Sequence, residues 1–260
     1  MQYNVAIDPL ESISQAACFG NFPTHQYSPG LTLKGSGNLQ KFSEAVQAYL
    51  LPLSGTTRLI LRRKAELFLY RQNADAIFYI ERGLVKIDRP GEGDQCVTLN
   101  LCSAGELIGE EALMAHQTYQ TQAEALTPLT VLRIPSNQVL EATASNPQLA
   151  LFLLSASLRR KATLERRLEL VAAHDVERRI LLCLADFAEL GEHEEDGSYS
   201  LPLTQRDVAN LIGATRETTS LMLNQMERIG LLSLARGKVT IPNPNRLRTA
   251  AYPIAEPIAS

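Results

Sequence analysis

The chain has no long apolar run. None of its stretches approaches the roughly 18 apolar residues that a membrane-spanning helix needs, and its start lacks basic residues followed by an apolar segment. These absences predict a chain that makes no membrane contact and stays in the cytoplasm. The apolar content of 45% and the charged content of 20% are those of an ordinary globular protein. Its 260 residues suffice for one large domain or two of medium size.

Cysteine is scarce and scattered. The chain contains no CxxC pair and no cysteine and histidine cluster at the spacing of zinc ligands, and its cysteines are Cys18, Cys96, Cys102 and Cys183. A structural metal site is therefore not expected, and each cysteine is interpreted as a small buried or neutral side chain. The chain also lacks a glycine-rich phosphate loop, an HExxH motif and a plausible set of nucleophile, base and orienting group. An enzyme is not predicted.

The clearest local pattern is TQRDVANLIGATRETTSLMLNQMERIG at residues 204–230, which predicts two short helices joined by a tight turn. Its apolar positions have the spacing of two crossed helices that share a small core: Val208, Ile212 and Met222. Ala209 is small where the helices would touch, and Gly213 occupies the turn, where a residue without Cβ can adopt positive φ. Thr204 and Thr215 are placed to cap the two helices. This is the pattern of a helix-turn-helix.

A predicted hairpin follows the second helix. The segment LLSLARGKVTIPN has two β-rich runs around Arg236, so the unit is predicted to be a winged helix-turn-helix. The second helix opens with Arg216, which can bond guanine O6 and N7, and Glu217, which can accept from cytosine N4. Its outward face continues through Ser220, Leu221 and Asn224, and Arg236 and Lys238 are expected to contact phosphate. The alternative is a solvated helix face with ordinary surface charges.

Charge is unevenly distributed along the chain, whose net charge is -3. Residues 204–248 carry seven basic residues against three acids, a local charge of +4. Residues 186–196 carry no Lys or Arg, and their acids are Asp186, Glu189, Glu192, Glu194, Glu195 and Asp196. The basic patch is therefore local, as a surface that faces double-stranded DNA requires.

The segments before this unit differ in composition and hydrophobic periodicity. Residues 1–40 are rich in Gly, Pro, Ser, Thr and Asn, with one short helical candidate at 10–18, and an amphipathic helix is predicted at 38–51. Residues 57–135 form short apolar runs of period two broken by glycines, which indicates an antiparallel β-barrel or roll. Residues 148–173 predict one long helix with an apolar seam: Leu149, Phe152, Leu153, Ala156, Leu164, Leu168 and Val171. Because a second copy would cover such a seam, we expect a parallel homodimer.

The order of these parts and four segments resemble the Crp/Fnr superfamily of bacterial transcription regulators, over about residues 43–246. The segments are YRQNADAIFYIERGLVKI, AGELIGEEALM, DVERRILLCL and GATRETTSLML, which resemble the family's first β-hairpins, its Gly-Glu ligand loop, its hinge and its recognition helix. The resemblance implies an α+β fold and a dimer that activates or represses promoters, with RNA polymerase as a further partner. It divides the chain into a variable extension (1–42), an effector-type β-roll (43–147), a dimerisation helix (148–174), a winged helix-turn-helix (175–250) and a tail (251–260).

The resemblance also assigns DNA contacts. Arg216 and Glu217 match the family's Arg-Glu pair that reads a GTGA-like half-site, while Leu221 stands where a further base-reading arginine occurs. Gln205 replaces a phosphate-contacting arginine, and Thr219 a Val or Ile. The operator is expected to be related to the family's palindrome without being identical to it. The predicted DNA-contacting set is Thr204, Gln205, Thr215, Arg216, Glu217, Ser220, Leu221, Asn224, Arg236 and Lys238.

The effector site departs further from the family pattern. Gly109 and Glu110 match the family's ribose-binding pair, but no Lys or Arg lies between residues 107 and 132 to neutralise a cyclic phosphate. A phosphate buried without a cation loses its hydration uncompensated, so cyclic AMP is not expected and no cofactor is assigned. Leu164 and Glu165 stand where a cyclic-AMP responder has its adenine-contacting hydroxyls. The predicted pocket set is Leu107, Ile108, Gly109, Glu110, Glu111, Tyr119, Gln120, Thr121, Leu164 and Glu165.

Other effectors of the superfamily stay open as alternatives. An iron-sulfur sensor needs about four cysteines with three of them near the N-terminus, where only Cys18 lies. His116 is the single histidine available to a haem, and a surface-loop role suits it better. Binding of 2-oxoglutarate would need basic residues toward the long helix, and the candidates are Arg159, Arg160, Lys161, Arg166 and Arg167, although basic residues on an exposed helical face require no ligand. An empty pocket and a ligand-binding module with a degenerate DNA domain are the remaining alternatives.

Overall fold

The computed structural model describes residues 36–93, 95–114 and 118–252. The helical candidate at 10–18, Cys18, His116 and residues 253–260 of the predicted tail lie outside the described residues. The first described helix, α1, begins at Ser36, inside the segment predicted to be a variable extension. Within the described part of the chain, no helix combines the length and apolarity that crossing a membrane requires.

The N-terminal part is a β-roll, as the sequence predicts. It comprises α1 (Ser36–Tyr49), β1 (Thr57–Leu61), β2 (Glu66–Phe68), β3 (Ala76–Arg82), β4 (Leu84–Pro90), β5 (Cys96–Ser103), β6 (Leu107–Ile108), β7 (Gln122–Ala125) and β8 (Leu129–Pro135). One sheet has the order β1-β8-β3-β6 and the other the order β2-β7-β4-β5, with antiparallel pairs such as Ile77 opposite Ile134. A short 3-10 turn, Glu110–Leu113, follows β6.

Helices close the roll. The helix α2 (Ser136–Ser145), which the sequence analysis did not assign, follows β8 and leads into the long helix α3 (Pro147–Ala173). The core of the roll takes Val46 from α1, Leu50 from the turn directly after α1, Val139 from α2 and Leu149 from α3, each at most 1% exposed. Because these helices cover the roll, five successive residues of β3 are buried where a one-sided strand would alternate.

The long helix carries two apolar faces. Leu149, Phe152, Leu153 and Ala156 pack against the core of the roll, so their assignment to an intersubunit seam is wrong. The other face is open to solvent in one chain, and its large apolar residues are Leu151, Leu154, Leu158, Leu164, Leu168 and Val171. Periodicity alone could not tell these faces apart, because both repeat at close to one helical turn.

The C-terminal part is a winged helix-turn-helix on its own small core. It comprises α4 (Val176–Phe187), β9 (Glu192–His193), β10 (Tyr199–Leu201), α5 (Gln205–Ile212), α6 (Arg216–Arg228), β11 (Ser233–Ala235), β12 (Lys238–Ile241) and α7 (Pro244–Ala251). The wing strands β11 and β12 join β10 and β9 in one antiparallel sheet. Leu84, Leu101 and Leu126 of the roll belong to the same apolar cluster as this unit, so the two parts share a packed contact.

Candidate nucleic-acid interface and effector cavity

The two helices of the helix-turn-helix are fixed at their starts by the predicted caps. Thr204 and Asp207 form a capping box on α5, in which the amide of Asp207 donates to Thr204 Oγ1 at 3.1 Å and the amide of Thr204 donates to Asp207 Oδ2 at 2.8 Å. Gly213 ends α5 at φ 65°, the left-handed conformation predicted for the turn. Thr215 caps α6 by accepting from the amide of Thr218 at 3.2 Å. The start of α6 therefore has a defined direction relative to α5.

One side of α6 is buried and the other is exposed. Leu223 and Met226 face the core, while Arg216, Glu217 and Asn224 are exposed, Leu221 is 56% exposed and Ser220 is partly buried. Thr219, which stands where the family has Val or Ile, is fully buried. Its hydroxyl donates to the carbonyl of Thr215 at 2.8 Å, so the polar group is satisfied within the helix. The predicted base-reading side chains therefore share one open face.

Two arginines hold the turn between the helices. Arg167 of the long helix donates to the carbonyl of Leu99 in β5 and to the carbonyl of Leu211 at the end of α5. Arg179 of α4 donates to the carbonyl of Ile212 at 3.1 Å. Carbonyls at a helix C-terminus lack intrahelical donors and carry partial negative charge, so cations stabilise them. The turn before α6 is thereby tied to the long helix and to the roll.

A buried ion cluster joins the roll to α5. Lys86 Nζ of β4 lies 2.9 Å from Asp207 Oδ1, 3.2 Å from Asp88 Oδ2 and 3.9 Å from Glu124 Oε2. Burial acts to lower the pKa of Lys86, but Asp88, Asp207 and Glu124 outweigh it and raise that pKa. Burial likewise acts to raise the pKa of Asp207, but the bonds from Thr204 and Lys86 lower it. Lys86 and Asp207 are therefore both charged at neutral pH.

The wing presents one open cation and one that is already paired. Arg236 is exposed beside Gly237, whose φ of 70° makes the tight turn of the hairpin. Lys238 Nζ lies 2.9 Å from Glu194 Oε1 in an ion pair whose side chains are 43% and 38% exposed. A phosphate contact from Lys238 therefore requires exchange of Glu194 for phosphate, which exposed pairs permit at small cost.

A cavity of about 30 Å³ lies between the roll and the long helix. Its lining is apolar apart from one serine and one ion pair, and comprises Ile77, Leu107, Ile108, Glu110, Leu113, Leu153, Ala156, Ser157 and Arg160. Arg160 Nη1 donates to Glu110 Oε2 at 2.8 Å. The interpretation of Arg160 as a cation on an exposed helical face is wrong, because it points into the roll beside Leu153 and Ala156.

Acidic groups surround this arginine. Burial raises the pKa of Glu106 and of Glu110, with Arg160 opposing the shift in both. Burial also acts to lower the pKa of Arg160, but Cys102, Glu110, Glu111 and Glu106 outweigh it and raise that pKa. No Lys or Arg lies between residues 107 and 132, but Arg160 of the long helix places a cation in this site. Its charge is already neutralised by Glu110.

Several residues of the predicted pocket lie away from the cavity. Tyr119 is buried in the roll, where its ring stacks on Phe68 and its hydroxyl donates to the carbonyl of Ala76 at 2.5 Å. The hydroxyl of Thr121 donates to Glu111 Oε1 at 2.7 Å, and Nε2 of the Gln120 side chain donates to the carbonyl of Thr118 at 3.2 Å. Leu164 and Glu165 are exposed on the outer side of the long helix. None of these five residues lines the cavity of one chain, so their assignment to its wall is wrong. Local hydrogen bonds hold Tyr119, Gln120 and Thr121 away from it, and Leu164 and Glu165 face solvent.

Gly109 lies between two residues that line the cavity, Ile108 and Glu110. It has φ 77°, and a Cβ there would meet the ring of Tyr119 at 3.3 Å and the carbonyl of Ala76 at 3.4 Å. A side chain at this position would therefore be strained in its backbone and crowded by its neighbours. Gly109 directs Glu110 toward Arg160 without lining the cavity itself.

Three cysteines lie in the described part of the chain, and none of them is exposed. Cys102 and Cys183 are buried, and Cys96 is partly buried. Burial raises the pKa of Cys183 to about 11 and raises the pKa of Cys102 as well. Both thiols therefore stay protonated at neutral pH, where the thiolate is the nucleophile and ligand. Among the residues with a described position, no three His, Cys, Asp or Glu side chains are grouped so as to hold a metal ion.

Both parts of the chain match known families. The cyclic nucleotide-binding domain family matches residues 58–146, and the Crp-like helix-turn-helix domain family matches residues 178–250. The chain is 27% identical over 186 residues to the global nitrogen regulator of Synechocystis, a match that covers 70% of this chain and 83% of the relative. It is 27% identical over 178 residues to the transcriptional regulator SdrP of Thermus thermophilus, covering 68% and 84%.

The fold matches solved structures over most of its length. The structure of FixK2 from Bradyrhizobium japonicum superposes with a TM-score of 0.64 at 19% identity, covering 75% of this chain and 96% of that one. The order of roll, long helix and C-terminal helix-turn-helix is therefore a known arrangement.

Proposed function

Because the chain belongs to the Crp/Fnr family of transcription regulators, we propose that it is a sequence-specific DNA-binding regulator that acts as a homodimer on an inverted repeat with GTGA-like arms. The observation that carries the proposal is the open face of α6, which begins with Arg216 and Glu217 directly after the Thr215 cap. An exposed helix with its hydrogen-bonding groups at its N-terminal end is what enters a major groove. Since the site of action is chromosomal DNA, we place the protein in the cytoplasm.

The exposed face of the long helix supports the homodimer. Leu151, Leu154, Leu158 and Leu168 are 45%, 53%, 53% and 69% exposed. They lie on one stripe of alternating three- and four-residue steps, at positions 151, 154, 158, 161, 165 and 168, in which Lys161 and Glu165 stand between Leu158 and Leu168. That spacing is the heptad repeat of a two-helix coiled coil. A parallel partner would cover the stripe and set two recognition helices about 34 Å apart, one turn of DNA.

Arg216 and Glu217 are assigned to base recognition within each half-site. Arg216 supplies two parallel donors for guanine O6 and N7, and Glu217 accepts from the amino group of a cytosine. Gln205 at the start of α5 and Arg236 in the wing are assigned to phosphates, together with Lys238 once it leaves Glu194. Contact with RNA polymerase stays a prediction from the family resemblance.

The test compares Arg216→Ala with Arg246→Ala on a labelled duplex that carries an inverted GTGA repeat. Arg246 is an exposed arginine of α7 in the same unit, so its removal changes charge equally. Arg216→Ala should weaken binding to the repeat by roughly five- to 150-fold per half-site and should weaken binding to scrambled DNA only slightly, by the loss of one positive charge. Arg246→Ala should weaken binding to both duplexes slightly and by the same factor. Equal losses for the two variants on both duplexes would remove the assignment of Arg216.

Arg160, which gives the cavity a cation, is the observation that favours a second candidate function, response to a small anionic effector. Ligand pockets for molecules of drug size span about 300–1,000 Å³, whereas this cavity has about 30 Å³. Cyclic AMP would therefore need both an opening of the roll and displacement of Glu110 from Arg160, so we propose a regulator that does not depend on it. A dicarboxylate such as 2-oxoglutarate would require the same displacement, with Arg160 as its cation.

Calorimetric titration separates these effectors. Cyclic AMP and 2-oxoglutarate are each titrated into the wild-type protein and into Arg160→Met. Heat from 2-oxoglutarate that Arg160→Met abolishes would favour the second candidate function. Saturable heat from cyclic AMP would overturn the proposed independence from that nucleotide.

A further inference from the structure

We infer that Leu221 selects a thymine in each half-site through the methyl group on thymine C5. The inference rests on the proposed DNA-binding function and deepens it. Leu221 is 56% exposed on α6, although every other side chain on the open face of that helix is polar. A large apolar side chain kept in solvent at this place is the observation to be explained.

The position of Leu221 on the helix is central. Glu217, Leu221 and Asn224 are spaced by four and three residues, so they form one ridge along the exposed side of α6. Arg216 lies to one side of this ridge, at the first turn. If α6 enters a groove by this face, Leu221 is desolvated between two side chains that touch bases.

The chemistry of the groove leaves one partner for a leucine there. Each base edge in the major groove presents hydrogen-bond donors or acceptors, and the single apolar group among the four bases is the C5 methyl of thymine. Against guanine or cytosine, Leu221 would strip water from O6, N7 or N4 and return no hydrogen bond, which is unfavourable. Against thymine, methyl and leucine bury apolar surface together. The same side chain therefore attracts thymine and disfavours the G·C pair.

Asn224 strengthens the assignment to an A·T pair. It lies one turn beyond Leu221 and is exposed, and an asparagine side chain can bond adenine N6 and N7 in two places. An adenine opposite or beside the selected thymine would satisfy both residues. We therefore expect the half-site to keep the guanine read by Arg216 and to carry an A·T pair within the reach of Leu221.

The experiment removes the methyl group without changing any hydrogen bond. In a duplex with an inverted GTGA repeat, each base pair of the arms is varied in turn, and each thymine is replaced by deoxyuridine. At one thymine position per half-site, this replacement should weaken binding of the wild-type protein by about fourfold, which is the contribution of one buried methyl group to affinity. A 5-methylcytosine at that position should bind more tightly than cytosine.

The variant Leu221→Ala completes the test, and Ile229→Ala is its matched control. Ile229 has the same number of carbons, is 65% exposed and is the C-cap residue of α6, eight residues beyond Leu221. In Leu221→Ala the ratio between thymine and deoxyuridine duplexes should fall to near one, while Ile229→Ala should keep the wild-type ratio. Specific binding with equal affinity for both duplexes at every position would overturn the inference alone. Failure to prefer any repeat over scrambled DNA would overturn the proposed function and the inference with it.

Discussion

Replacement of Lys86 by methionine tests the contact between the roll and the helix-turn-helix. Methionine has a similar length and no charge, so Lys86→Met leaves Asp88 and Asp207 facing each other without a cation. Their side chains are 5% and 13% exposed, and that of Lys86 is 10% exposed. Removal of one partner from a buried ion pair costs about 3–5 kcal/mol, because the remaining charge keeps its desolvation penalty. We expect a loss of that size in the free energy of unfolding.

Substitution of the partner residue, Asp207, should cost less stability than Lys86→Met. In Asp207→Asn, Lys86 keeps Asp88 and Glu124, and asparagine still offers an oxygen to the amide of Thr204. Its loss should be about 1.5–3 kcal/mol, that of one charge-assisted hydrogen bond. The double variant should be more stable than the sum of the two losses predicts, by about 1–3 kcal/mol, since Asp207 is no longer left charged without Lys86.

The assay is urea unfolding followed by circular dichroism at one fixed protein concentration, because a dimer makes apparent stability depend on concentration. Lys64→Met is the control, since Lys64 is exposed and the substitution removes the same charge. It should change stability by at most about 0.5 kcal/mol. The reasoning would be refuted if Lys86→Met cost no more than Lys64→Met, or if the losses in the double variant simply added.

Three further expectations follow from other contacts. Leu158→Glu places a charge in the exposed stripe of the long helix, so sedimentation should show monomers and DNA affinity should fall, while a retained dimer would remove this stripe from the interface. Arg236→Ala should weaken binding to all DNA sequences alike and flatten the dependence of log K on log salt by about 0.9 per lost phosphate contact; a loss confined to one operator would contradict it. Burial raises the pKa of Glu110 above its ordinary value of 4.5, so the folded state binds this proton more tightly than the unfolded state does. The wild type should therefore lose stability relative to Glu110→Gln as the pH rises from 4.5 to the raised pKa. Above that pKa the stability difference should stay constant. A stability difference independent of pH would show that Glu110 is not shifted.

Local patterns predicted the helix-turn-helix well. Capping residues, the turn glycine and the wing act over a few residues, so Thr204, Gly213 and Thr215 could be assigned from the sequence and are confirmed. The roll was predicted at the level of strands, since alternation reports one buried face. Alternation is absent from β3, because one side of the strand faces the interior of the roll and helices cover the other side, so that five successive residues are buried.

Contacts between distant segments were not predictable. Lys86 and Asp88 occupy alternate positions of β4, a pattern typical of a solvated face, and only the arrival of α5 buries them. Arg160 was one of five basic candidates on the long helix, and its place in the cavity could have been predicted, because it lies four residues after Ala156 and seven after Leu153, on the side of the helix that packs on the roll. The long helix has two apolar faces, and the sequence does not say which one the chain covers itself.

The most direct test of the account is selection of bound sequences from random duplex DNA by the purified protein, without and with cell metabolite extract. We expect an inverted repeat with GTGA-like arms whose centres are about one helical turn apart, already without extract. We also expect Arg216→Ala to lose the preference for the arms. Enrichment of no sequence under either condition, or of a single unrepeated element, would contradict a dimeric reader of inverted repeats.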